Sequence, residues 1–359
     1  MQTALRLAER GLGNVWPNPA VGCVVAREGR LVGRGWTQPG GRPHAETEAL
    51  ARSGAAAQGA TAYVTLEPCC HWGRTPPCTD ALIAAGIRRV VVAGEDPDPR
   101  VAGGGIARLR QAGIDVAAGL CAEEAAELNA GFFTRVQFGH PLVTLKLAAS
   151  LDGRIATQTG ESRWITGAAA REVAHRLRAT HDAVLVGTGT VLSDDPQLTC
   201  RLPGLDCRSP VRVALDRTLR IPMEAHIIAT ARETPTWIVT LPGADPVRRE
   251  RRRAAGVEIV EVAGDAAGQI DIAAALEALG DRGLTRLLVE GGGRLAAALL
   301  SAGLVDRLVW LHAPVVLGGD AMPAAAALGL DRLADAPRFD RVHVQPLGDD
   351  VLSLYRRRA

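Results

Sequence analysis

The stretch that decides the fold of the N-terminal half is TLEPCCHWGRTPPC, residues 65–78, together with His44-Ala45-Glu46 upstream of it. His44 stands at a predicted helix start, Cys69 follows a predicted strand, and Cys78 precedes a predicted helix. One imidazole and two thiolates suit a zinc ion, and three protein ligands leave a position for a water whose pKa falls to about 7. Glu46, beside His44, is predicted to carry the proton from water to a ring nitrogen and to leaving ammonia. The pattern predicts hydrolytic deamination of a small pyrimidine-like ring.

The spacing of the two cysteines leaves one alternative open. The general deaminase signature is Pro-Cys-x-x-Cys, whereas Cys69 and Cys78 are nine positions apart, with Cys70 and His71 between them. A closed structural zinc site with Cys70 or His71 as fourth ligand is therefore the rival prediction. That rival assigns no role to Glu46.

A length of 359 residues predicts two domains, and the segment 131–141, with its Gly-His-Pro break, places the boundary between residues 1–140 and 141–359. The alternation of strands and helices in each half predicts an α/β class for both. A net charge of +2 and an aromatic content of 3% argue against a nucleic-acid-binding surface. No apolar stretch approaches the roughly 18 residues that a membrane span needs. Seven cysteines are too sparse for a disulfide scaffold and favour a metal site in a reducing compartment. We therefore expect a cytoplasmic protein with neither nucleic-acid nor membrane partners.

Hydrophobic periodicity predicts alternating strands and helices in both halves. In the first half we expect a helix at 4–10, a hairpin of strands 20–26 and 31–36, strands 61–66, 89–93 and 114–117, and helices 44–52, 79–85 and 105–112. In the second half we expect strands 142–147, 183–186, 211–215, 236–239, 257–262, 287–290, 307–311 and 342–344, and helices 168–178 and 295–300. The arginine-rich runs 248–253 and 356–358 are predicted to be solvated.

The motifs of the first half resemble the bifunctional diaminohydroxyphosphoribosylaminopyrimidine deaminase / 5-amino-6-(5-phosphoribosylamino)uracil reductase family of riboflavin biosynthesis. Residues 17–22, PNPAVG, add to His44-Ala45-Glu46 and residues 65–78. The long cysteine spacing is that family's own, although it usually has Ser where Cys70 stands. The resemblance implies a cytidine-deaminase-like three-layer domain over residues 1–140, with pyrimidine contacts from Asn18 and His71. Without it, Asn18 between two prolines is typical of a turn.

The second half carries a weaker signal of its own. Gly291-Gly292-Gly293 between a predicted strand and a predicted helix suits phosphate binding. No Gly-x-Gly-x-x-Gly is present, which disfavours a Rossmann fold. Residues 144–154, 160–166, 194–201 and 289–292 resemble the reductase half of the same family, which implies a dihydrofolate-reductase-like domain that uses NADPH.

The resemblance assigns two groups of residues in this half by position. The implied nucleotide-binding group is Ala148, Trp164, Thr190, Asp194, Gly292, Gly293, Arg294, Leu295, Ala296, Ala297 and Ala298. The implied substrate-binding group is Ser162, Arg178, Leu198, Arg201 and Glu290, with the two arginines on the ribose 5-phosphate. From the residues alone, Trp164 equally fits a core, Leu198 fits packing, and the arginines fit the surface.

Lys146 is the single lysine of the chain and lies inside the apolar strand Leu145-Lys146-Leu147. A charged side chain there is costly unless it is partnered, whereas a lysine at a sheet edge would extend to water. We predict that Lys146 is a catalytic proton donor in the reduction.

The whole sequence therefore predicts zinc-dependent deamination of a phosphorylated pyrimidine followed by NADPH-dependent reduction of its ribosyl chain, in a homo-oligomer. The rivals are a transfer-RNA adenosine deaminase, which leaves the second domain unexplained, and a zinc-stabilised binding module without catalysis.

Overall fold

The computed structural model describes residues 1–358 and separates the chain into two units, Met1–Gly139 and the residues from His140 onward. Each unit is built on its own sheet and has its own apolar core. The predicted α/β class is confirmed in both units. Among the described residues, no helix has the length and apolar composition to cross a membrane.

The first unit has a five-stranded sheet in the order β2-β1-β3-β4-β5. Its strands are β1 Gly22–Arg27, β2 Arg30–Trp36, β3 Thr61–Val64, β4 Arg89–Val92 and β5 Asp115–Ala118. Strand β1 is antiparallel to β2 and β3, while β3, β4 and β5 run parallel. Its helices are α1 Gln2–Ala8, α2 Ala45–Ser53, α3 Cys78–Ala84, α4 Gly104–Gln111, α5 Ala122–Leu128 and α6 Ala130–Phe138.

Two glycines in β2 determine how closely α2 packs on the sheet. A Cβ at Gly35 would collide with the Ala45 carbonyl oxygen, and one at Gly33 would collide with Ser53 Oγ. Because both positions are glycine, the α2 backbone packs directly on β2. The start of α2 therefore has a fixed place over the sheet.

The second unit has a nine-stranded sheet in the order β11-β10-β9-β8-β12-β6-β13-β16-β15 and a separate two-stranded sheet, β14-β7. Its strands are β6 Leu142–Ala149, β7 Arg154–Ala156, β8 Ala183–Gly187, β9 Val211–Leu215, β10 Thr236–Thr240, β11 Glu258–Glu261, β12 Arg286–Val289, β13 Arg307–His312, β14 Met322–Pro323, β15 Phe339–Leu347 and β16 Asp350–Arg357. Its helices are α7 Ala168–Thr180, α8 Thr188–Asp194, α9 His226–Ala229, α10 Pro246–Ala254, α11 Ile272–Asp281 and α12 Gly293–Ser301.

From β11 to β13 neighbouring strands pair in parallel, and β16 and β15 extend the sheet antiparallel. The carboxyl ends of β6, β12 and β8 thus meet along one edge, where ligand sites of open parallel sheets are found.

Several elements differ from the sequence-based expectation. The sequence pattern does not predict the helices α5, α6, α8, α9, α10 and α11 or the strands β7, β14 and β16. The arginine run 248–253 belongs to α10, where its prediction as solvated is wrong for Arg252. Arg252 is 4% exposed and donates from Nη2 to the Leu219 carbonyl oxygen at 2.7 Å. Its guanidinium donates to the backbone carbonyl oxygens of Arg248, Leu219 and Ile221, so this cation is buried with hydrogen-bond partners.

Candidate active sites

The first unit brings His44, Cys69 and Cys78 together. His44 is the N-cap of α2, Cys78 is the first residue of α3, and Cys69 lies in the loop after β3. Their ligand atoms all lie within 4.8 Å of one another, with His44 Nδ1 3.2 Å from Cys78 Sγ and 3.7 Å from Cys69 Sγ. Ligands about 2.0–2.3 Å from one zinc ion in a tetrahedron have separations of this size. The geometry and the donor types therefore fit zinc.

The pKa values of the two cysteines are shifted in opposite directions, because one thiol donates a hydrogen bond to the other. A hydrogen bond from the Cys78 thiol lowers the pKa of Cys69 to about 4, and His44 adds to this effect. The pKa of Cys78 is raised, first by that same hydrogen bond and then by burial. Cys69 is therefore the thiolate of the pair, and metal binding would release the proton that remains on Cys78.

Glu46 lies on α2, 3% exposed, next to this cluster. Burial raises its pKa to about 7, although the neighbouring His44 opposes the rise. The Cys78 side chain lies beside this carboxyl group and also opposes part of the rise in its pKa. A carboxyl group with a pKa near neutrality both accepts and returns a proton at physiological pH.

Glu67 has a positioning role that was not predicted from the sequence. Its carboxylate accepts hydrogen bonds from the backbone N–H groups of Gly103 and Ile106, both at 2.9 Å, at the start of α4. A Cβ at Gly105 would collide with the Pro68 carbonyl oxygen, so the loop before Cys69 lies directly against α4. In the sequence, this role is indicated only by the acidic residue directly before Pro-Cys and by the run of glycines at the start of a helix, where free N–H groups favour a carboxylate.

The residues implied to contact the pyrimidine lie in turns and loops of this unit. Asn18 lies in a bend, where its amide group occupies the space that a Cβ at Gly41 would need. His71 Nδ1 is buried and has no hydrogen-bond partner among residues 1–358. A buried polar atom without a hydrogen-bond partner destabilises the folded chain, and a ligand that supplies a partner removes this cost.

In the second unit, Glu290 lies at the end of β12 between two cations. Arg178 on α7 donates from Nε to Oε1 at 2.6 Å and from Nη2 to Oε2 at 3.0 Å, and Lys146 Nζ lies 3.7 Å from Oε2. The three side chains are only 9–16% exposed. Burial alone would raise the pKa of Glu290, but Arg178 and Lys146 outweigh it and hold the pKa at about 2. The carboxylate is therefore ionised and fixes both cations.

The two arginines implied to bind phosphate have different environments. The guanidinium of Arg178 donates hydrogen bonds to the Glu290 carboxylate and, from Nη1 at 3.0 Å, to the Thr199 carbonyl oxygen. Arg201 is exposed and donates from Nη1 to Gln197 Oε1 at 3.0 Å. Leu198 is 2% exposed and belongs to the apolar core of the unit, and Ser162 is half-buried.

The residues implied to hold the nucleotide lie mainly at the carboxyl edge of the sheet. Gly292 is the N-cap of α12, and a Cβ there would lie 3.8 Å from Thr190 Oγ1 on α8. Gly293 has no room for a Cβ because the Pro323 carbonyl oxygen lies against it. Within the first turns of α12, Arg294 and Ala298 are exposed, Leu295 is half-buried, and Ala296 and Ala297 are buried. Ala148 lies on β6 and is half-buried.

Trp164 is 69% exposed, so the alternative that it is a core residue is wrong. The Arg171 guanidinium lies 4.7 Å from the centre of its ring. The preceding residue, Arg163, donates from Nη2 to the Asp194 carbonyl oxygen at 2.7 Å. Trp164 lines a cleft of about 530 Å³ that also includes Gly167 at the start of α7.

Comparison with known families and structures agrees with this two-part organisation. The family described as cytidine and deoxycytidylate deaminase zinc-binding region matches residues 1–94, and the RibD C-terminal domain matches residues 141–353. The riboflavin biosynthesis protein RibD of Escherichia coli is 44% identical, covering 98% of this chain and 96% of its own. That of Bacillus amyloliquefaciens is 43% identical, covering 98% and 94%.

Solved structures match over nearly the whole chain as well. Acinetobacter baumannii RibD has 40% identity and a TM-score of 0.89, covering 99% of this chain and 97% of its own. A diaminohydroxyphosphoribosylaminopyrimidine deaminase/5-amino-6-(5-phosphoribosylamino)uracil reductase from Thermotoga maritima has 36% identity and a TM-score of 0.86, with the same coverages. The resemblance inferred from the sequence motifs is confirmed, and neither rival function is favoured. The chain belongs to the RibD family of riboflavin biosynthesis and joins a zinc-binding deaminase domain to an NADPH-using reductase domain.

Proposed function

We propose that residues 1–140 deaminate 2,5-diamino-6-(5-phosphoribosylamino)pyrimidin-4(3H)-one to 5-amino-6-(5-phosphoribosylamino)uracil, and that residues 141–359 then reduce the ribosyl chain of this product to ribityl. The observation that carries the proposal is the cluster of His44, Cys69 and Cys78 beside the buried Glu46, in a chain that also has a reductase domain. The name of the Thermotoga maritima relative supports the substrate.

In the deaminase unit, Glu46 is the proton carrier. Bound zinc supplies an activated water at neutral pH. Glu46 moves one proton from the attacking water to the ring nitrogen, and then a second proton, from the hydroxyl group left on the ring carbon, to the amino group that leaves as ammonia; burial raises its pKa towards neutrality, which suits both transfers. His71 orients the pyrimidine through the buried Nδ1 that lacks a protein partner, and Asn18 hydrogen-bonds the ring through its amide group.

In the reductase unit, Lys146 is the proton donor. NADPH supplies the hydride to ribose C1 in its open-chain form. Lys146 donates a proton at the oxygen or nitrogen on that carbon, and Glu290 holds its ammonium in place from 3.7 Å. Since the Arg178 guanidinium is used by Glu290, we assign the substrate 5-phosphate chiefly to Arg201, which is exposed. Arg178 and Leu198 then form part of the wall of the substrate site. Ser162 binds the substrate.

The nucleotide is proposed to lie along the carboxyl edge of β6, β12 and β8. The free backbone N–H groups at the start of α12, a helix of nine residues, face its phosphates. Trp164 offers an exposed aromatic face for a ring of the cofactor. The remaining contacts are proposed for Ala148, Thr190, Asp194, Gly292, Gly293, Arg294, Leu295, Ala297 and Ala298. Ala296 is fully buried, so its proposed role is to pack α12 beneath these contacts.

We also propose that the chain forms a homo-oligomer and works in the cytoplasm without a nucleic-acid partner. The edge strand β15 presents Val342 and Val344, 61% and 46% exposed, which supports a self-association surface. Thiolate zinc ligands suit a reducing compartment, and a net charge of +2 gives no basic surface for nucleic acid. Light scattering of the purified chain measures the assembly state, and transfer-RNA filter binding tests the nucleic-acid rival.

The test of the main proposal is incubation with the diaminopyrimidine phosphate, with and without NADPH, followed by mass analysis of products. Without NADPH we expect only the deaminated ribosyl compound and one equivalent of ammonia. With NADPH we expect the ribityl compound. Recovery of unchanged substrate under both conditions, from protein with a full complement of zinc, would contradict the assignment.

A further inference from the structure

One face of α7 holds the segment 197–201 through two backbone contacts. His175 Nδ1 accepts the backbone N–H of Arg201 at 3.3 Å, and Arg178 Nη1 donates to the Thr199 carbonyl oxygen at 3.0 Å. Residues three apart in a helix lie on the same face, so His175 and Arg178 act on the segment from adjacent positions. No motif in the sequence indicates a role for His175.

The segment alternates between buried and exposed side chains. Leu198 and Cys200 are both 2% exposed, and the Cys200 N–H donates to Ser209 Oγ at 3.1 Å. Arg201 follows with its side chain exposed. The contact from His175 reaches the backbone at the residue whose guanidinium is proposed to bind the substrate phosphate. A rotation of the backbone there would redirect that guanidinium.

The surroundings of His175 favour the neutral imidazole, the form that can accept a hydrogen bond. Burial lowers its pKa, and the positive charges of Arg178 and Arg201 lower it further, while Glu290 has the opposite effect. A protonated imidazole has no acceptor, since both ring nitrogens then carry hydrogen. The contact with Arg201 N–H requires the neutral form with Nδ1 unprotonated.

We propose that His175 is a positioning residue of the reductase site, which fixes the backbone of Arg201 so that its guanidinium meets the 5-phosphate of the substrate. This inference rests on the proposed role of Arg201. His175 affects recognition of the phosphate but does not contact the reacting atoms. The loss should therefore appear in KM for the phosphorylated substrate and leave kcat nearly unchanged.

The test compares His175→Asn with His175→Gln in the full-length, zinc-loaded enzyme. The Asn side chain places an oxygen near the position of Nδ1, whereas Gln places its polar atoms near the position of Nε2. We expect Asn to keep KM close to the parent value. We expect Gln to raise KM about fivefold, the effect of losing one hydrogen bond of about 1 kcal/mol. With the dephosphorylated substrate, the two variants should have equal KM values.

Arg176→Ala is the matched control, because Arg176 is an exposed neighbour on α7 that pairs only loosely with Glu172 at 3.8 Å. Arg201→Ala, alone and with His175→Gln, completes a double-mutant cycle in which the second substitution should add nothing. If Arg201→Ala raises KM and His175→Gln does not, or if Asn and Gln raise it equally, the inference is wrong. If Arg201→Ala leaves KM unchanged, the phosphate role of Arg201 fails, and the inference fails with it.

Discussion

Lys146→Arg is the sharpest test of the reductase site, because it keeps the charge and changes only its shape. Both oxygens of Glu290 already accept from Arg178, at 2.6 and 3.0 Å, and Lys146 approaches one of them at 3.7 Å. A planar guanidinium at position 146 would compete with Arg178 for the same carboxylate or turn away from it. In either case the compact ammonium is lost from the site, and a guanidinium does not give up a proton.

The expected loss is about two orders of magnitude in the reductase rate, the scale of general acid assistance. A hundredfold loss corresponds to about 2.7 kcal/mol of transition-state stabilisation. The assay is NADPH consumption at saturating deaminated substrate, with ammonia release measured on the same preparation as a control for the first unit. The unfolding transition of the variant shows whether the fold has been kept.

A reductase rate within about threefold of the parent would refute the reasoning, since it corresponds to less than 1 kcal/mol. Lys146 would then act only as a charge partner of Glu290 within the interior of the sheet. A large loss accompanied by an unfolded second unit would instead show that Lys146 serves the fold. Normal unfolding with a large loss of rate is the result that our assignment requires.

Further predictions concern both units. Glu46→Gln should abolish ammonia release while zinc content and reduction of supplied deaminated substrate stay normal, because Glu46 moves protons without binding metal; near-normal ammonia release would contradict this. Cys78→Ser should lower bound zinc, measured by metal analysis, and Cys70→Ser should not; equal losses would indicate the closed structural site. Gly105→Ala should lower the free energy of unfolding of the first unit by about 1–3 kcal/mol, measured with denaturant, because the new Cβ collides with the Pro68 carbonyl oxygen. In the folded chain the pKa of Glu290 lies below its ordinary 4.5, so its stabilising contribution is present above pH 4.5 and is lost as the pH falls towards 2. Glu290→Gln should therefore remove that part of the loss of stability in acid, measured as the free energy of unfolding against pH. An unchanged dependence of this free energy on pH would show that Arg178 and Lys146 do not stabilise the carboxylate in this way.

Much of the deaminase site could be predicted from the sequence because its chemistry is local. Two of the three proposed metal ligands, His44 and Cys78, stand at the starts of helices, where the sequence pattern changes. The residue types also suit one metal ion and one reaction. The role of Glu67 was missed because its partners, the amides at the start of α4, lie more than thirty positions away in the chain.

The reductase site could be predicted only through resemblance, because its contacts join distant parts of the chain. Arg178 and Glu290 are 112 positions apart and meet only because β12 pairs with β6 and β8 beneath α7. No periodicity in the sequence indicates that this arginine binds a carboxylate, so the expectation that it binds phosphate was the natural one. The structure separates the two arginines by their partners: Arg178 is held by Glu290, while Arg201 keeps an exposed guanidinium. If that distinction is right, Arg201→Ala should weaken binding of the phosphorylated substrate alone, whereas Arg178→Ala should leave Glu290 without its main partner and impair the whole reductase site.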